Sequence, residues 1–109
     1  MARDPSPPAA GDLIPDALAR AFLLVRFGDF LELEKGSSPR TRDAYLRDVA
    51  RFIAFAVTKG LDGPAGVTSR TLREFMYHMK DLGLSPASIR RNVSAVRGYF
   101  RFLFGDGHL

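Results

Sequence analysis

Cysteine is absent from this chain of 109 residues, and histidine occurs only at His78 and His108. The lack of cysteine excludes a disulfide framework, a thiolate zinc site and a cysteine nucleophile. Two distant histidines are too few for a histidine metal cluster. The sequence therefore predicts a protein with neither a metal nor another cofactor.

Long hydrophobic runs are also lacking. The longest, at residues 52–57, is far shorter than the roughly 20 residues that a membrane-spanning helix needs. The first residues contain proline, aspartate and arginine but no apolar signal-peptide core. We therefore expect no membrane partner and a cytoplasmic location.

Hydrophobic residues make up 46% of the chain, which is enough for one packed domain but not for two in 109 residues. Proline and small residues dominate the N-terminus, where a disordered tail is expected over residues 1–12. The helical domain is predicted at residues 13–104. Residues 105–109, which include the glycines Gly105 and Gly107, are predicted to begin a linker.

Apolar spacing and helix-start signals predict four helices and no strand. Ser38-Pro39 and Ser85-Pro86 repeat the same start, a capping serine followed by a proline at the first helical position. The predicted fold is an all-α, compact four-helix bundle. The expected helices cover residues 15–35, 39–59, 68–82 and 86–104.

Each predicted helix has an apolar side. The first helix is apolar almost all round, which indicates either a central position or contact with a partner. The third is expected to bury a stripe that includes Met76 and Leu82. The fourth is expected to bury Ile89, Val93, Val96, Phe100 and Leu103.

Positive charge is concentrated in the second part of the chain, although the net charge is only +4. Residues 1–35 contain four basic and six acidic side chains, whereas residues 36–104 contain twelve basic and five acidic ones. Ten of those twelve are arginine, the side chain best suited to two-pronged phosphate and guanine contacts. This distribution indicates an anionic partner.

The arginines form stripes on two predicted helices. We call Arg90, Ser94, Arg97 and Arg101 the C-terminal stripe, and Arg40, Ala44, Arg47 and Arg51 the central stripe. Arginine on a helix is often merely solvated, but residues 82–105 contain no acidic residue to pair with these cations. An α-helix also fits the major groove of B-DNA, so double-stranded DNA is the expected partner.

Little in the sequence indicates catalysis. Tyr45 and Tyr99 lie on or beside apolar stripes, where packing is the expected role, and Tyr77 has no basic neighbours in register. His78 lies on a helix flank and His108 near the end of the chain. The carboxylates are scattered and do not form an acid–base pair.

Two segments resemble the N-terminal core-binding domain of Xer-type tyrosine recombinases and phage integrases. In the second helix the shared pattern is a polar cap, a threonine, a tyrosine, an acidic–apolar pair and a phenylalanine. In the fourth helix it runs from Leu84 to Leu103 through a serine, Ile-Arg-Arg, Ser-Ala-Val-Arg and an aromatic pair. The second-helix residues are Ser38, Thr41, Tyr45, Asp48, Val49 and Phe52.

The resemblance implies a SAM-like fold that grips a recombination half-site through the second and fourth helices. Neighbouring recombinase protomers on DNA are further partners that it implies, while the isolated domain is expected to be monomeric. Arg40 and Arg101 are also predicted DNA contacts, but only because they lie on the two arginine stripes. The contacts that the resemblance carries over are Thr41, Arg47, Arg51, Arg90, Arg91, Ser94 and Arg97.

In that family the catalytic arginine, lysine, histidine and tyrosine belong to a C-terminal domain, and none of them has a counterpart in these 109 residues. We therefore expect no catalytic residue in this chain, which is either a fragment of a parent tyrosine recombinase or integrase or a natural stand-alone relative of one. Two rival interpretations remain. One is a protein–protein interaction module that acts through the apolar first helix. The other is a helix-turn-helix regulator, which the length of the fourth helix disfavours.

Overall fold

The computed structural model describes residues 10–109, without the side chains of residues 11 and 12. Within that range the chain is helical and forms no strand, which confirms the predicted all-α SAM-like fold. A short 3-10 turn at Pro64–Gly66 precedes α5. The helices are α1 (Ala10–Leu13), α2 (Asp16–Ala21), α3 (Leu24–Leu33), α4 (Pro39–Thr58), α5 (Ser69–Asp81) and α6 (Pro86–Gly105).

The first predicted helix, at residues 15–35, is broken into α2 and α3. Leu23 at the break has a φ of 58°, in the left-handed region that costs a leucine roughly 1 kcal/mol. Phe22 and Leu24 are both buried. In an unbroken helix these two side chains would point about 200° apart, so the break allows both to enter the same core.

The predicted starts of the long helices are confirmed. The Ser38 hydroxyl accepts a hydrogen bond from the Thr41 N–H at 3.2 Å, and the Ser85 hydroxyl accepts one from the Ser88 N–H at 3.2 Å. These serines satisfy amides that a helix leaves without partners in its first turn. They fix where α4 and α6 begin.

The core lies around α4 and consists of two clusters. The larger packs α2, α3 and α6 against α4, and includes an edge-on contact of Phe27 with Tyr99 at 5.6 Å between ring centroids. The smaller joins α4, α5 and α6, where the rings of Phe52 and Phe75 meet at 5.2 Å. Helix α4 is thus the central element that both clusters share.

The buried side of α6 is rotated from the predicted one. Ile89, Val93 and Phe100 are only partly buried, and the prediction was correct for Val96 and Leu103 alone. Met76 on α5 and Leu82 just after its end are exposed although burial was expected. The residues that α6 buries are Asn92, Ala95, Val96, Tyr99, Phe102 and Leu103.

This rotation places the C-terminal stripe opposite the core, because three- and four-residue spacings keep a helical stripe on one side. All four of its residues are exposed.

The ends of the chain bear on the predicted domain limits. Most of the tail predicted at residues 1–12 lies outside the described residues, and Ala10–Leu13 form the single turn α1. At the other end α6 continues through Gly105. The His108 N–H then donates a hydrogen bond to the Leu103 carbonyl oxygen at 2.8 Å. No helix in the described part of the chain is long and apolar enough to cross a membrane.

Candidate nucleic-acid interface

A buried carboxylate, Asp48, joins the two arginine-bearing helices. Its Oδ2 accepts a hydrogen bond from Arg91 Nε at 2.8 Å, and its Oδ1 accepts one from Arg91 Nη2 at 2.9 Å. The two parallel bonds form the fork-to-fork geometry that makes arginine–carboxylate pairs strong and directional. The hydrogen bonds to Asp48 also raise the pKa of Arg91 above its ordinary value. The Asp48 pair therefore fixes α6 against α4 at a defined position.

A second pair of polar residues extends this contact. Arg51 Nη1 donates a hydrogen bond to Oδ1 of the buried Asn92 at 3.1 Å and lies 3.7 Å from Asp48 Oδ1. Asn92 Nδ2 in turn donates to the Ser88 carbonyl oxygen at 2.7 Å. Each buried polar group of this network has a partner, as buried groups require. We call Asp48, Arg51, Arg91 and Asn92 the seam.

The seam brings the two arginine-bearing helices together. Arg47 and Arg90 adjoin Asp48 and Arg91 in the sequence, and each lies about 100° around its helix from that neighbour. Three arginine nitrogens, Nε and Nη2 of Arg51 and Nη1 of Arg91, take no part in the seam's hydrogen bonds. The seam thus holds Arg51, a residue of the central stripe, beside Arg91 of α6. We call Arg40, Arg47, Arg51, Arg90 and Arg91 the basic surface.

The predicted contact residues are not all equally available to a partner. Arg40, Thr41, Arg90 and Ser94 are exposed, whereas Arg47 is half-buried. The Thr41 hydroxyl accepts a hydrogen bond from the Ser38 hydroxyl at 3.0 Å as part of the α4 cap.

Arg97 and Arg101 are exposed but line a separate feature, a groove between α5 and α6. The C-terminal stripe is thus divided. Its last two arginines border the groove, whereas Arg90 and Ser94 are not among the residues that line it.

Asp48 and Asn92 were not among the predicted site residues. Asp48 lies three residues after Tyr45 and four before Phe52, so helical spacing places a carboxylate on the apolar stripe of α4. A charge at that register needs a partner from another element. That signal was readable in the sequence, but the identity of the partner was not.

The tyrosines and histidines occupy the positions expected of packing or surface residues. Tyr99 is buried and its hydroxyl donates to the Phe22 carbonyl oxygen, while Tyr45 packs partly buried against the larger cluster. Tyr77 is exposed. The His78 ring lies 4.9 Å from the Phe55 ring. Within residues 10–109, no three His, Cys, Asp or Glu side chains are placed to hold a metal ion.

Comparison with known proteins gives a consistent result along the chain. The family model described as phage integrase, N-terminal SAM-like domain, matches residues 24–107. A tyrosine recombinase XerC of Xanthomonas campestris pv. campestris is 36% identical over 108 residues, which cover 99% of this chain and 33% of that protein. A tyrosine recombinase XerD of Chlorobaculum tepidum is 35% identical over 83 residues, which cover 76% of this chain and 27% of that protein.

These matches cover only a small part of the length of each relative. A tyrosine recombinase XerC of Xylella fastidiosa, 35% identical over 83 residues, is likewise covered over only 28% of its length. The chain thus spans about a third or less of the curated relatives that it matches. No solved structure matches the chain significantly.

Proposed function

Since this chain belongs to the phage integrase N-terminal SAM-like domain family, we propose that it is the core-binding domain of a site-specific tyrosine recombinase. Its basic surface grips one face of a double-stranded recombination half-site through α4 and α6. DNA cleavage and rejoining then depend on residues outside the matched domain. A DNA partner also places the protein in the cytoplasm, and neighbouring protomers assemble with it on that DNA.

The seam is the observation that carries this proposal. Two arginines, Arg51 and Arg91, contact the one buried aspartate, so the basic surface keeps an excess of positive charge after Asp48 is paired. Fixing Arg51 and Arg91 in place lowers the entropy that each side chain would lose on binding phosphate. A preorganised cationic surface on two helices suits the phosphate backbone beside a major groove.

The rival interpretation, a protein-binding module acting through the first predicted helix, draws less support. Large apolar side chains of that segment pack in the core of the domain, because Phe22, Phe27 and Leu31 are buried. Only Val25 and Leu33 are large exposed apolar residues there, at 68% and 80% exposure. Burial thus accounts for most of the pattern that suggested a partner.

Binding of the 109-residue chain to a duplex, measured at several salt concentrations, tests the proposal. Displacement of condensed counterions makes affinity fall with salt. With about four phosphate contacts we expect a loss of roughly a hundredfold between about 50 mM and about 200 mM salt. No binding at low salt, or an affinity independent of salt, would refute the DNA assignment.

A paired variant locates the binding surface. Arg47→Glu combined with Arg90→Glu reverses two charges that lie outside the seam's hydrogen bonds, so the fold should persist. We expect DNA affinity to fall by more than about tenfold. Arg73→Glu combined with Lys80→Glu makes the same charge change on exposed positions of α5 and serves as the control. Equal losses in both double variants would show that net charge alone governs binding.

A further inference from the structure

An open apolar groove of about 990 Å³ lies between α5, α6 and the 3-10 turn. Leu72, Phe75 and Met76 line it from α5, and Val93, Phe100 and Phe104 line it from α6. Phe104 is 64% exposed and Met76 43% exposed. Apolar side chains exposed together in this way form a surface that a partner can bury.

The charge around the groove has one sign. Among its lining residues only Arg97 and Arg101 are charged, and no acidic side chain lines it. Thr68 and Ser69, at the start of α5, line the same groove, and the amino end of a helix carries partial positive charge. A partner that fits this groove therefore combines an apolar face with negative charge beside it.

The two-helix lining favours a helix as that partner. A groove formed by two helices accepts the apolar face of a third, with anchors at three- and four-residue spacing. Met76 is suited to such a role because an unbranched thioether adapts to different neighbours. The volume of about 990 Å³ is at the upper end of that of small-molecule pockets, roughly 300–1,000 Å³, and thus has room for several anchoring side chains.

A second copy of the chain is a poorer candidate. Its acidic helix, α3, presents only two large exposed apolar side chains, Val25 and Leu33, with Asp29 between them. Two isolated side chains do not fill a groove of this size.

We propose that the groove between α5 and α6 docks an acidic amphipathic helix of a partner protein. The apolar side chains of that helix pack on Phe100, Phe104 and Met76, and its carboxylates pair with Arg97 and Arg101. This site is separate from the seam, but Arg97 and Arg101 are also predicted DNA contacts. Binding of the helix is therefore measured without DNA, and its outcome does not depend on the basic surface.

A designed peptide serves as the probe. It has about 16 residues, with leucines at positions i, i+3, i+4 and i+7, glutamates flanking that face and a single tryptophan. The protein contains no tryptophan, so peptide fluorescence reports binding directly. We expect saturable binding without DNA, and magnetic resonance shifts centred on the methyl of Met76 and the ring of Phe104.

Two control peptides separate the parts of the proposal. One replaces the glutamates with lysines and keeps the apolar face. The other keeps the composition but scrambles the order, which leaves the net charge and removes the amphipathic face. We expect both to bind at least about tenfold more weakly. If the scrambled peptide bound as tightly as the acidic peptide, the groove would only attract anions in general. If the lysine peptide bound as tightly, Arg97 and Arg101 would have no role in binding.

Variants of the protein complete the test. Phe104→Ala and Arg101→Glu alter exposed side chains and should leave the thermal unfolding midpoint nearly unchanged. Each should weaken binding of the acidic peptide by about tenfold or more. Arg73→Glu, an exposed position of α5 outside the groove lining, should leave its binding unchanged. Full affinity in the Phe104→Ala variant would overturn the proposal. So would dimerisation of the wild-type chain that Phe104→Ala abolishes, because a second copy would then be the occupant.

Discussion

The phenol of Tyr99 on α6 donates a hydrogen bond of 2.7 Å to the backbone carbonyl oxygen of Phe22, at the break between α2 and α3. Both side chains are fully buried. The bond supplies a donor to a backbone group at the very point where the first predicted helix is interrupted. Tyr99 thus connects the strained segment at Leu23 with the helix that bears the C-terminal stripe.

Tyr99→Phe should destabilise the fold, because it leaves the Phe22 carbonyl oxygen without this donor while keeping the ring in the core. Losing one partner of a buried hydrogen bond costs about 1–3 kcal/mol. Urea unfolding followed by circular dichroism measures the change. Tyr77→Phe, at an exposed position, is the matched control and should change stability by less than about 0.5 kcal/mol. Equal effects of the two changes would contradict a structural role for the Tyr99 hydroxyl.

Alkaline pH should destabilise the fold through the same Tyr99 hydroxyl group. Burial raises the pKa of the Tyr99 phenol above its ordinary value of 10.0, so the folded protein keeps a proton that the unfolded chain loses. Stability from this group is complete below pH 10.0 and falls as pH rises from there towards the folded pKa. Unfolding midpoints measured across this range should decline less steeply in Tyr99→Phe than in the wild type. Parallel declines would show that other groups govern alkaline unfolding.

The four predicted helices illustrate what the sequence determines locally. Serine–proline starts and three- and four-residue apolar spacing are local signals, and they located α4 and α6 correctly. The break at Leu23 has no such signal, since no glycine or proline occurs within residues 16–27. It results from packing of Phe22 and Leu24 into one core and from the Tyr99 bond, both of which are contacts distant in sequence.

The candidate site shows the same division. The stripes followed from helical spacing, which is local. The rotation of α6 and the pairing of Asp48 with Arg91, 43 residues apart, followed from tertiary packing. Arg91 was predicted as a DNA contact alone, whereas in the structure it also fastens α6 to α4. A residue can thus serve binding and folding together, and the sequence pattern does not separate the two.

The seam should respond asymmetrically to loss of its two main partners. Arg91→Ala leaves the buried Asp48 carboxylate with only Arg51 nearby, and an incompletely paired buried charge is costly. Asp48→Asn leaves Arg91, whose side chain is 46% exposed, free to be solvated. We expect Arg91→Ala to cost about 2–4 kcal/mol and Asp48→Asn clearly less. Chemical denaturation measures both, and the reverse order would contradict the burial argument.

Arg90 and Arg101 should contribute differently to DNA binding. Arg90 lies in the first turns of α6 beside the seam, where a helix entering the major groove reaches base edges. We expect Arg90→Ala to cost on the order of 1–3 kcal/mol on a preferred sequence selected from random duplexes, and less on random DNA. Arg101→Ala should weaken binding to all DNA sequences alike and reduce the slope of log affinity against log salt concentration by roughly one unit.

The matched control for both changes is Arg73→Ala, which removes one exposed arginine from α5 and should alter neither quantity. Glu74→Gln is the less suitable control because Glu74 pairs with Lys59 and Arg70. If Arg90→Ala and Arg101→Ala reduced affinity equally on selected and random duplexes, α6 would act only as an electrostatic grip.

Gly98 offers a test in which stability and binding move in opposite directions. It lies in the middle of α6, and a Cβ added there would meet nothing within 4 Å. Alanine is favoured over glycine inside a helix by about 1 kcal/mol, so Gly98→Ala should raise the free energy of unfolding by roughly 0.5–1 kcal/mol. Helical geometry places Gly98 between Arg91 and Ser94 around α6, where the proposed DNA contact brings the backbone near the duplex.

On that geometry the added methyl group keeps the duplex away from α6, and Gly98→Ala should weaken DNA binding severalfold while it stabilises the fold. Ala87→Gly is the complementary control. It should lower helix stability and leave room for the duplex, so its DNA affinity should not fall by more than its loss of folded protein explains. Paired measurements of unfolding and duplex affinity decide the matter. A Gly98→Ala protein that is more stable and binds DNA as tightly as the wild type would show that the duplex does not approach α6 at this point.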